Sequence, residues 1–302
     1  MKIGLIDVDG HNFPNLALMK ISAWHKNQGD IVEWYESPLY GWYDRVYMSK
    51  VFDTTYSPDV LEPVNAKEVV KGGTGYSLSS KLPECIEHVY PDYSLYPALT
   101  KNTAYGYLTR GCPRACNFCI VSQKEGRKSR RVADLKEFWR GQKNIKLLDP
   151  NLLACKDHMS LLYQLADSRA WIDITQGLDA RLITPENAKA LSKLKISMIH
   201  FAMDSMDQID HICRGLEIFS RYKPMRSRNQ KVYILTNFNT THQEDLQRIK
   251  IVQSLGYWPY VMIYNKPQAP QVTRDLQRWS NNPFIYFSAP NFEDYKKHKM
   301  ED

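Results

Sequence analysis

AYGYLTRGCPRACNFC, residues 104–119, joins an apolar segment directly to a loop with three cysteines. The apolar segment, residues 104–109, has the length and composition of a buried β-strand. Cys112, Cys116 and Cys119 follow it in the spacing C-x3-C-x2-C. We therefore expect a strand whose carboxyl end presents three thiols on one short loop.

Outward from this stretch, strand-like and helix-like segments alternate to near the end of the chain. Five further strands are predicted at residues 145–148, 171–175, 196–202, 232–235 and 260–264. Helices are predicted at residues 132–140, 157–166, 206–219 and 244–255, and one more begins at Pro185, where proline suits the first helical turn. This alternation is typical of parallel β/α architecture with six units in residues 102–302.

The first 82 residues carry a second, smaller pattern. Strands are predicted at residues 2–8, 31–35 and 45–50, with a helix at 14–26, and residues 68–71 lead into a glycine-rich turn at Gly72-Gly73-Thr74-Gly75. The pattern predicts a small Rossmann-like α/β domain over residues 1–82. Residues 83–101, with three prolines and several tyrosines, indicate an ordered linker.

Composition places the chain among globular proteins of a reducing compartment. It has 302 residues, of which 43% are hydrophobic, and only six cysteines. Half of these lie in one motif, which argues against a disulfide framework and for the cytoplasm. The N-terminus has Asp7 too early for a signal peptide, and no apolar run approaches the ~18 residues of a membrane span.

The formal net charge of +7 is unevenly distributed. Two basic groups stand out, and their members are Lys124, Arg127, Lys128, Arg130 and Arg131, and then Arg221, Lys223, Arg226, Arg228 and Lys231. Such groups attract phosphates without regard to nucleotide sequence, but they are equally common as solvated surface. Nucleic acid is therefore one possible substrate or partner, although no known nucleic-acid-binding module accompanies the charge.

The three cysteines suit an iron–sulfur cluster better than zinc. Three thiolates can hold three irons of a [4Fe–4S] cluster and leave the fourth iron open for a small ligand. Structural zinc sites need four closed ligands, and no fourth ligand lies at ordinary zinc spacing. A zinc site would have to recruit Cys85, His88, Cys155 or His158 across the fold, and this alternative stays open.

At these residues the chain resembles the radical S-adenosylmethionine (radical SAM) enzymes, which share the spacing and an aromatic residue before the third cysteine, here Phe118. The resemblance implies a partial (β/α)6 barrel and a [4Fe–4S] cluster on Cys112, Cys116 and Cys119. It further implies that S-adenosylmethionine binds the open iron and is cleaved to a 5′-deoxyadenosyl radical, and that a flavodoxin or ferredoxin supplies the electron. Phe118 would pack near the adenine, although a loop aromatic can also be a simple plug.

Ligands of parallel α/β folds bind at the carboxyl ends of the strands, so polar residues just beyond each strand are candidates for cofactor binding. They are Asp149, Asn151, Gln176, Asp179, Arg181, Asp204, Ser205, Asn237 and Asn239. The resemblance implies that Asp149 with Asn151 contacts the cofactor's amine and that Asp204 contacts its ribose. The family's common Gly-Gly-Glu is replaced here by Asp149-Pro150-Asn151, and helix capping is the alternative role for each residue. Arg181 is either a carboxylate or phosphate clamp or a structural partner of Asp179.

The N-terminal segment is similar to the cobalamin-binding domains of some radical SAM enzymes. Asp9-Gly10-His11-Asn12-Phe13-Pro14 matches the D-x-H-x-x-G motif of histidine-on domains except for Pro14. Because proline removes backbone freedom where the motif has glycine, we favour a vestigial or substrate-gripping domain over a cobalamin site. A cobalamin-dependent methyltransferase therefore remains an alternative function. A non-catalytic metal or cluster protein that binds nucleic acid is the alternative of another class.

Overall fold

The computed structural model describes residues 1–36 and 38–295. The strands are β1 Lys2–Asp7, β2 Ile31–Trp34, β3 Arg45–Ser49, β4 Val69–Gly72, β5 Thr103–Gly106, β6 Thr109–Arg110, β7 Arg130–Arg131, β8 Asn144–Leu147, β9 Trp171–Leu178, β10 Lys195–Ala202, β11 Gln230–Thr236 and β12 Trp258–Ile263. The helices are α1 Leu16–Asn27, α2 Glu84–Glu87, α3 Pro97–Thr100, α4 Val121–Lys124, α5 His158–Ser168, α6 Pro185–Ser192, α7 Ile209–Tyr222, α8 His242–Ser254, α9 Gln271–Asn281 and α10 Pro283–Ser288. The predicted end of the second domain, residue 302, lies outside the described residues.

Six strands form one parallel sheet in the order β12-β11-β10-β9-β8-β5, and the protein is therefore an α/β protein as predicted. Each of these strands lies beside the one that precedes it in this part of the chain. Because parallel crossovers are right-handed, an order without reversal sends every connection to the same face of the sheet. That face carries the main hydrophobic core, with Ile172, Ile199, Phe201 and Val232 fully buried.

The first segment forms its own parallel sheet in the order β2-β1-β3-β4. Helix α1 begins where the Asn15 side chain accepts a hydrogen bond from the amide of Leu18, a typical N-cap. Its buried face packs Leu18 against Ile3 and Leu5 of the central strand. Burial of these side chains removes apolar surface from water and fixes α1 on the sheet.

The predicted helix at residues 132–140 is wrong. Within it the structure has only one 3₁₀ turn, Leu135–Glu137, closed by Asp134 at its start. The amide of Val132 donates to the carbonyl of Leu108 at 2.9 Å, which holds the chain extended at this point. Phe138 then lies directly on Gly106, where any Cβ would overlap its ring. The segment therefore follows the contacts of Val132 and Phe138 and does not form the predicted helix.

Two strand predictions are also corrected. The predicted strand at residues 104–109 is split, because β5 ends at Gly106 and β6 pairs antiparallel with β7. The third strand, predicted to end at residue 175, continues to Leu178. A register shift against β10 accompanies Gly177, whose φ of 97° suits glycine, and lets the strand continue past the irregularity.

Residues 83–101 contain α2 and α3 and pack against both sheets. The Tyr96 hydroxyl donates to a carboxylate oxygen of Asp7 at 2.7 Å. The Phe13 ring lies edge-on to Tyr105 of β5 at 5.4 Å between centroids. These contacts bring the loop after β1 to the edge of the larger sheet. The predicted domain boundaries stay predictions.

None of the helices in the described part of the chain combines the length and the apolar character needed to cross a membrane.

Candidate functional site

The three cysteines lie on the loop between β6 and α4, at the carboxyl edge of the larger sheet. The amide of Cys112 donates to the carbonyl of Gly126 at 3.1 Å, and the amide of Cys119 donates to the carbonyl of Cys116 at 3.0 Å. Gly111 enters the loop with a φ of 89°, and its α-carbon faces the Lys128 main chain so closely that a Cβ would overlap it. The loop is thus folded tightly, and its three thiols are free and partly buried.

The three thiols lie within electrostatic reach of one another and of the Asp204 carboxylate. Burial raises the pKa of the Cys116 thiol, and Asp204, Cys119 and Cys112 raise it further. Burial also raises the pKa of the Cys119 thiol, with Cys112 and Asp204 adding to the effect. Ionised thiols would repel one another here, so a bound cation is what would stabilise three thiolates in this arrangement.

Asn151 is the polar side chain that connects the cysteine loop to the strand ends. It follows β8, is 3% exposed, and its Nδ2 lies 3.5 Å from Cys112 Sγ and 3.5 Å from an Asp179 oxygen. Its Oδ1 is buried and has no hydrogen-bond partner among the described residues. An unpaired buried acceptor is costly, which marks Asn151 as a group that a donor from a ligand would satisfy.

A buried ion network fixes the cysteine loop to the end of β9. Asp179, with its side chain 4% exposed, accepts hydrogen bonds from the Arg114 guanidinium of the loop and from Arg181. The Arg181 contact uses two nitrogens, Nε at 2.7 Å and Nη2 at 3.1 Å. Of the two roles considered for Arg181, the structural partnership with Asp179 is the one this structure contains.

Asp149 and Asp204 were both predicted to bind the cofactor, but they have different surroundings. Asp149 is 1% exposed and accepts hydrogen bonds from the Leu108 amide at 3.1 Å and the Thr109 hydroxyl at 2.6 Å. Burial raises the pKa of Asp149 to about 6. The Asp149 oxygens thus accept hydrogen bonds from the residues that lead into the cysteine loop. Contact of Asp149 with a cofactor stays a prediction. Burial also raises the pKa of Asp204, which lies within electrostatic reach of Cys116.

Phe118 lies in a row of aromatic rings along the same edge. Its ring is 5.4 Å from Phe238, which is 4.8 Å from Tyr264. Asn237 adopts a φ of 62° and donates to the carbonyl of Tyr264 at 2.8 Å, so it shapes the turn after β11. Gln176 is an exposed residue inside β9 rather than beyond its end.

The structure thus brings Asn151, Asp179, Arg181 and Asp204 to the cysteine loop. It places Asp149 beneath the loop, and it places Gln176 and Asn237 at the same edge without a described contact to the thiols. Sequence reasoning missed Arg114 and Phe238. Arg114 is a charge inside the motif, which was the available signal, but its partner Asp179 is 65 residues away.

A cluster and a zinc ion make different demands on this set of donors. Within residues 1–36 and 38–295, no three His, Cys, Asp or Glu side chains are already placed to hold a metal ion. The three thiols are nevertheless neighbours on one loop, and they are soft ligands of the kind that iron–sulfur clusters use. The donors therefore fit a cluster with one open iron by their chemistry, and the side chains would have to move to converge on it.

The residues predicted for cobalamin are engaged within the smaller sheet. The His11 ring packs on Trp34 at 4.2 Å and lies edge-on to Tyr96 at 5.7 Å. Gly73 and Gly75 face the main chain from Lys50 to Phe52 so closely that a Cβ at either would overlap it. The glycines are thus needed for packing of these loops, and cobalamin binding stays the less favoured prediction.

No protein-family model matches the chain, and a search of curated proteins finds no significant match.

Proposed function

We propose that the protein is a radical SAM enzyme. The observation that carries the proposal is the gathering of three free thiols at the carboxyl edge of a parallel sheet, beside the buried amide of Asn151 and the carboxylate of Asp204. The strand order without reversal supports the finer proposal of a partial (β/α)6 barrel, since a barrel needs consecutive strands to be neighbours. The smaller sheet would then be the Rossmann-like domain that precedes it.

In this proposal Cys112, Cys116 and Cys119 hold a [4Fe–4S] cluster. When bound, the cluster supplies the electron that cleaves S-adenosylmethionine to methionine and a 5′-deoxyadenosyl radical. The ion pair between Arg114 and Asp179 attaches the cysteine loop to the end of β9. Asn151 donates its amide toward Cys112 Sγ, which stabilises negative charge on that sulfur.

The remaining groups at this edge bind and orient the cofactor. Asn151 Oδ1 accepts a hydrogen bond from the ammonium group, which satisfies an otherwise unpaired buried acceptor. Asp204 accepts hydrogen bonds from ribose hydroxyls, and the ring of Phe118 packs on the adenine. Together they keep water away from the reacting carbon, which a radical of this reactivity requires.

The test is anaerobic reconstitution with iron and sulfide, followed by iron determination, visible absorption and assay of 5′-deoxyadenosine with S-adenosylmethionine and dithionite. The parent protein should bind iron, absorb broadly in the blue and form 5′-deoxyadenosine. Cys116→Ala should lose all three properties while its far-ultraviolet circular dichroism stays unchanged. Cys213→Ala, which removes a partly buried cysteine on α7, is the matched control and should behave as the parent.

Zinc without iron in oxygen-free preparations, or iron without any 5′-deoxyadenosine, would contradict the proposal. Equal activity of Cys116→Ala and the parent would contradict the assignment of the ligands.

A further inference from the structure

A groove lies at the β12 edge of the larger sheet. It has a volume of about 630 Å³ and is bordered by β12, α9 and α10, with Tyr260, Lys266, Arg274, Arg278 and Phe284 among its lining residues. Helix α9 covers the edge of β12, because Asn281 Oδ1 accepts from the Val261 amide at 2.8 Å. The groove is therefore built from ordered elements.

The groove concentrates positive charge. Arg274 and Arg278 are four residues apart on α9 and so lie on one face, where like charges destabilise a helix. Arg274 Nη2 donates to the carbonyl of Pro267 at 2.9 Å, which fixes this guanidinium beside Lys266. Asp275, next in the chain, accepts a hydrogen bond from Gln271 at 2.9 Å. A polyanion would relieve the repulsion.

The same groove exposes an aromatic ring. Phe284, on the first turn of α10, is 86% exposed. Phe287, one turn further along the same helix, is 56% exposed and contacts Trp258 at 5.7 Å between centroids. An aromatic face left open to water beside cations is suited to stack a nucleobase.

The groove is continuous with a row of rings on the sheet face opposite the hydrophobic core. Tyr260 lines the groove, and its ring is 5.7 Å from Tyr233, which stacks on His200 at 4.9 Å. Lys231 Nζ lies 5.3 Å from the Tyr260 centroid. Tyr260 and Lys231 thus continue the aromatic and cationic lining of the groove onto β11, whereas His200, at 7% exposed, is buried.

We propose that this groove binds single-stranded nucleic acid, with phosphates on Lys266, Arg274 and Arg278 and a base stacked on Phe284. Guanidinium groups match phosphate geometry, and aromatic stacking needs unpaired bases, so both features favour a single strand over a duplex. An acidic protein segment would use the cations but not the open ring. Binding does not involve the cysteines, whereas naming this strand as the substrate rests on the proposed function.

The experiment measures binding of a fluorescein-labelled single-stranded RNA of about 12 nucleotides to the full chain by anisotropy, over a range of salt concentrations. Each phosphate contact contributes about 0.7 to the slope of log affinity against log salt for single strands. The double variant Arg274→Glu/Arg278→Glu should therefore lower the slope by about 1.4 and the affinity at least tenfold. Phe284→Ala should weaken binding about fivefold or more and leave the slope unchanged.

The matched control is Lys156→Glu/Lys189→Glu, two exposed lysines outside the groove, and it should bind within twofold of the parent. The inference is overturned if the parent does not bind, if the arginine variant or Phe284→Ala binds as the parent does, or if a duplex of equal length binds as tightly. Competition by adenosine monophosphate as strong as by the RNA would also overturn it, since a mononucleotide needs only part of the groove.

A variant with alanine at Cys112, Cys116 and Cys119 separates the two proposals. It should bind RNA as the parent does. If RNA binds but no preparation forms 5′-deoxyadenosine, the proposed function fails and the groove assignment holds. If 5′-deoxyadenosine forms but RNA does not bind, the groove assignment alone fails.

Discussion

Asp179→Asn should destabilise the protein and loosen the cysteine loop. The substitution removes one negative charge and keeps the shape of the side chain. Asparagine can still cap the turn at Arg181, where Asp179 accepts from the amide at 3.2 Å. What it removes is the charge shared by Arg114 and Arg181, and with it the attachment of the loop to the end of β9.

The expected magnitude follows from burial. Leaving one member of a buried ion pair without its partner costs about 3–5 kcal/mol. Here the carboxylate is 4% exposed, but the side chains of Arg114 and Arg181 are 31% and 26% exposed, so water can solvate them after the change. We therefore expect a loss of about 2 kcal/mol in the free energy of unfolding. With an unfolding entropy of about 2.1 cal/mol/K per residue, a chain of 302 residues should then melt about 3 °C lower.

The effect should depend on pH in a defined direction. Although burial opposes ionisation, hydrogen bonds from Arg181 and Arg114 hold the pKa of Asp179 below its ordinary value. Its stabilising contribution is therefore complete above the unfolded pKa of about 4 and is lost as pH falls through the folded pKa. The difference between Asp179→Asn and the parent should be full at pH 7 and should shrink below about pH 4.

Urea unfolding across this pH range measures the stability, and the rate of alkylation of the loop thiols by iodoacetamide measures the loosening. Alkylation should be faster in the variant. Asp207→Asn, at an exposed position after β10, is the control and should change neither quantity. If Asp179→Asn matches the parent in both stability and alkylation rate, the network does not hold the loop and the reasoning is refuted.

Three further predictions concern single positions. Gly215→Ala should destabilise the protein by about 1–3 kcal/mol in thermal unfolding, because the new Cβ would overlap the carbonyl of Ala180. This is expected even though alanine normally favours a helix. A neutral result would mean that α7 can shift. Asp149→Asn should remove a component of the stability–pH curve. Because the folded pKa of about 6 exceeds the unfolded value near 4, this group lowers stability by up to about 3 kcal/mol as pH rises from 4 to 6, and an identical curve for the variant would contradict the assignment. Phe118→Ala should weaken S-adenosylmethionine binding about fivefold or more with iron content unchanged, as measured by calorimetry on reconstituted protein, and unaltered affinity would leave Phe118 as a packing partner of Phe238.

The sequence alone was sufficient for most of the strands and longer helices. Predicted strands at residues 196–202 and 232–235 lie within β10 and β11, because apolar residues alternate where one face packs on helices. Helix α6 begins at Pro185 as expected, with Thr184 as its cap. Such signals are local, and a few neighbouring residues contain all the information they need.

The sequence was misleading where long-range packing overrides local pattern. Residues 132–140 have an apolar spacing that suits a helix. In the structure, however, the Phe138 ring packs on Gly106 and the Val132 amide donates a hydrogen bond to the Leu108 carbonyl. Neither contact can be inferred from the segment itself, because Gly106 is the last residue of β5 and Leu108 follows that strand.

By itself the sequence determined the parallel α/β class and the position of the cysteine loop after a strand, since both follow from periodicity and spacing along the chain. Only the tertiary structure decided that Asp149 supports the loop, that Arg114 meets Asp179, and that Lys266 joins two arginines beside an exposed ring. These outcomes depend on distances between residues far apart in the chain, which are set when the strands align and the helices pack, and no local pattern encodes them.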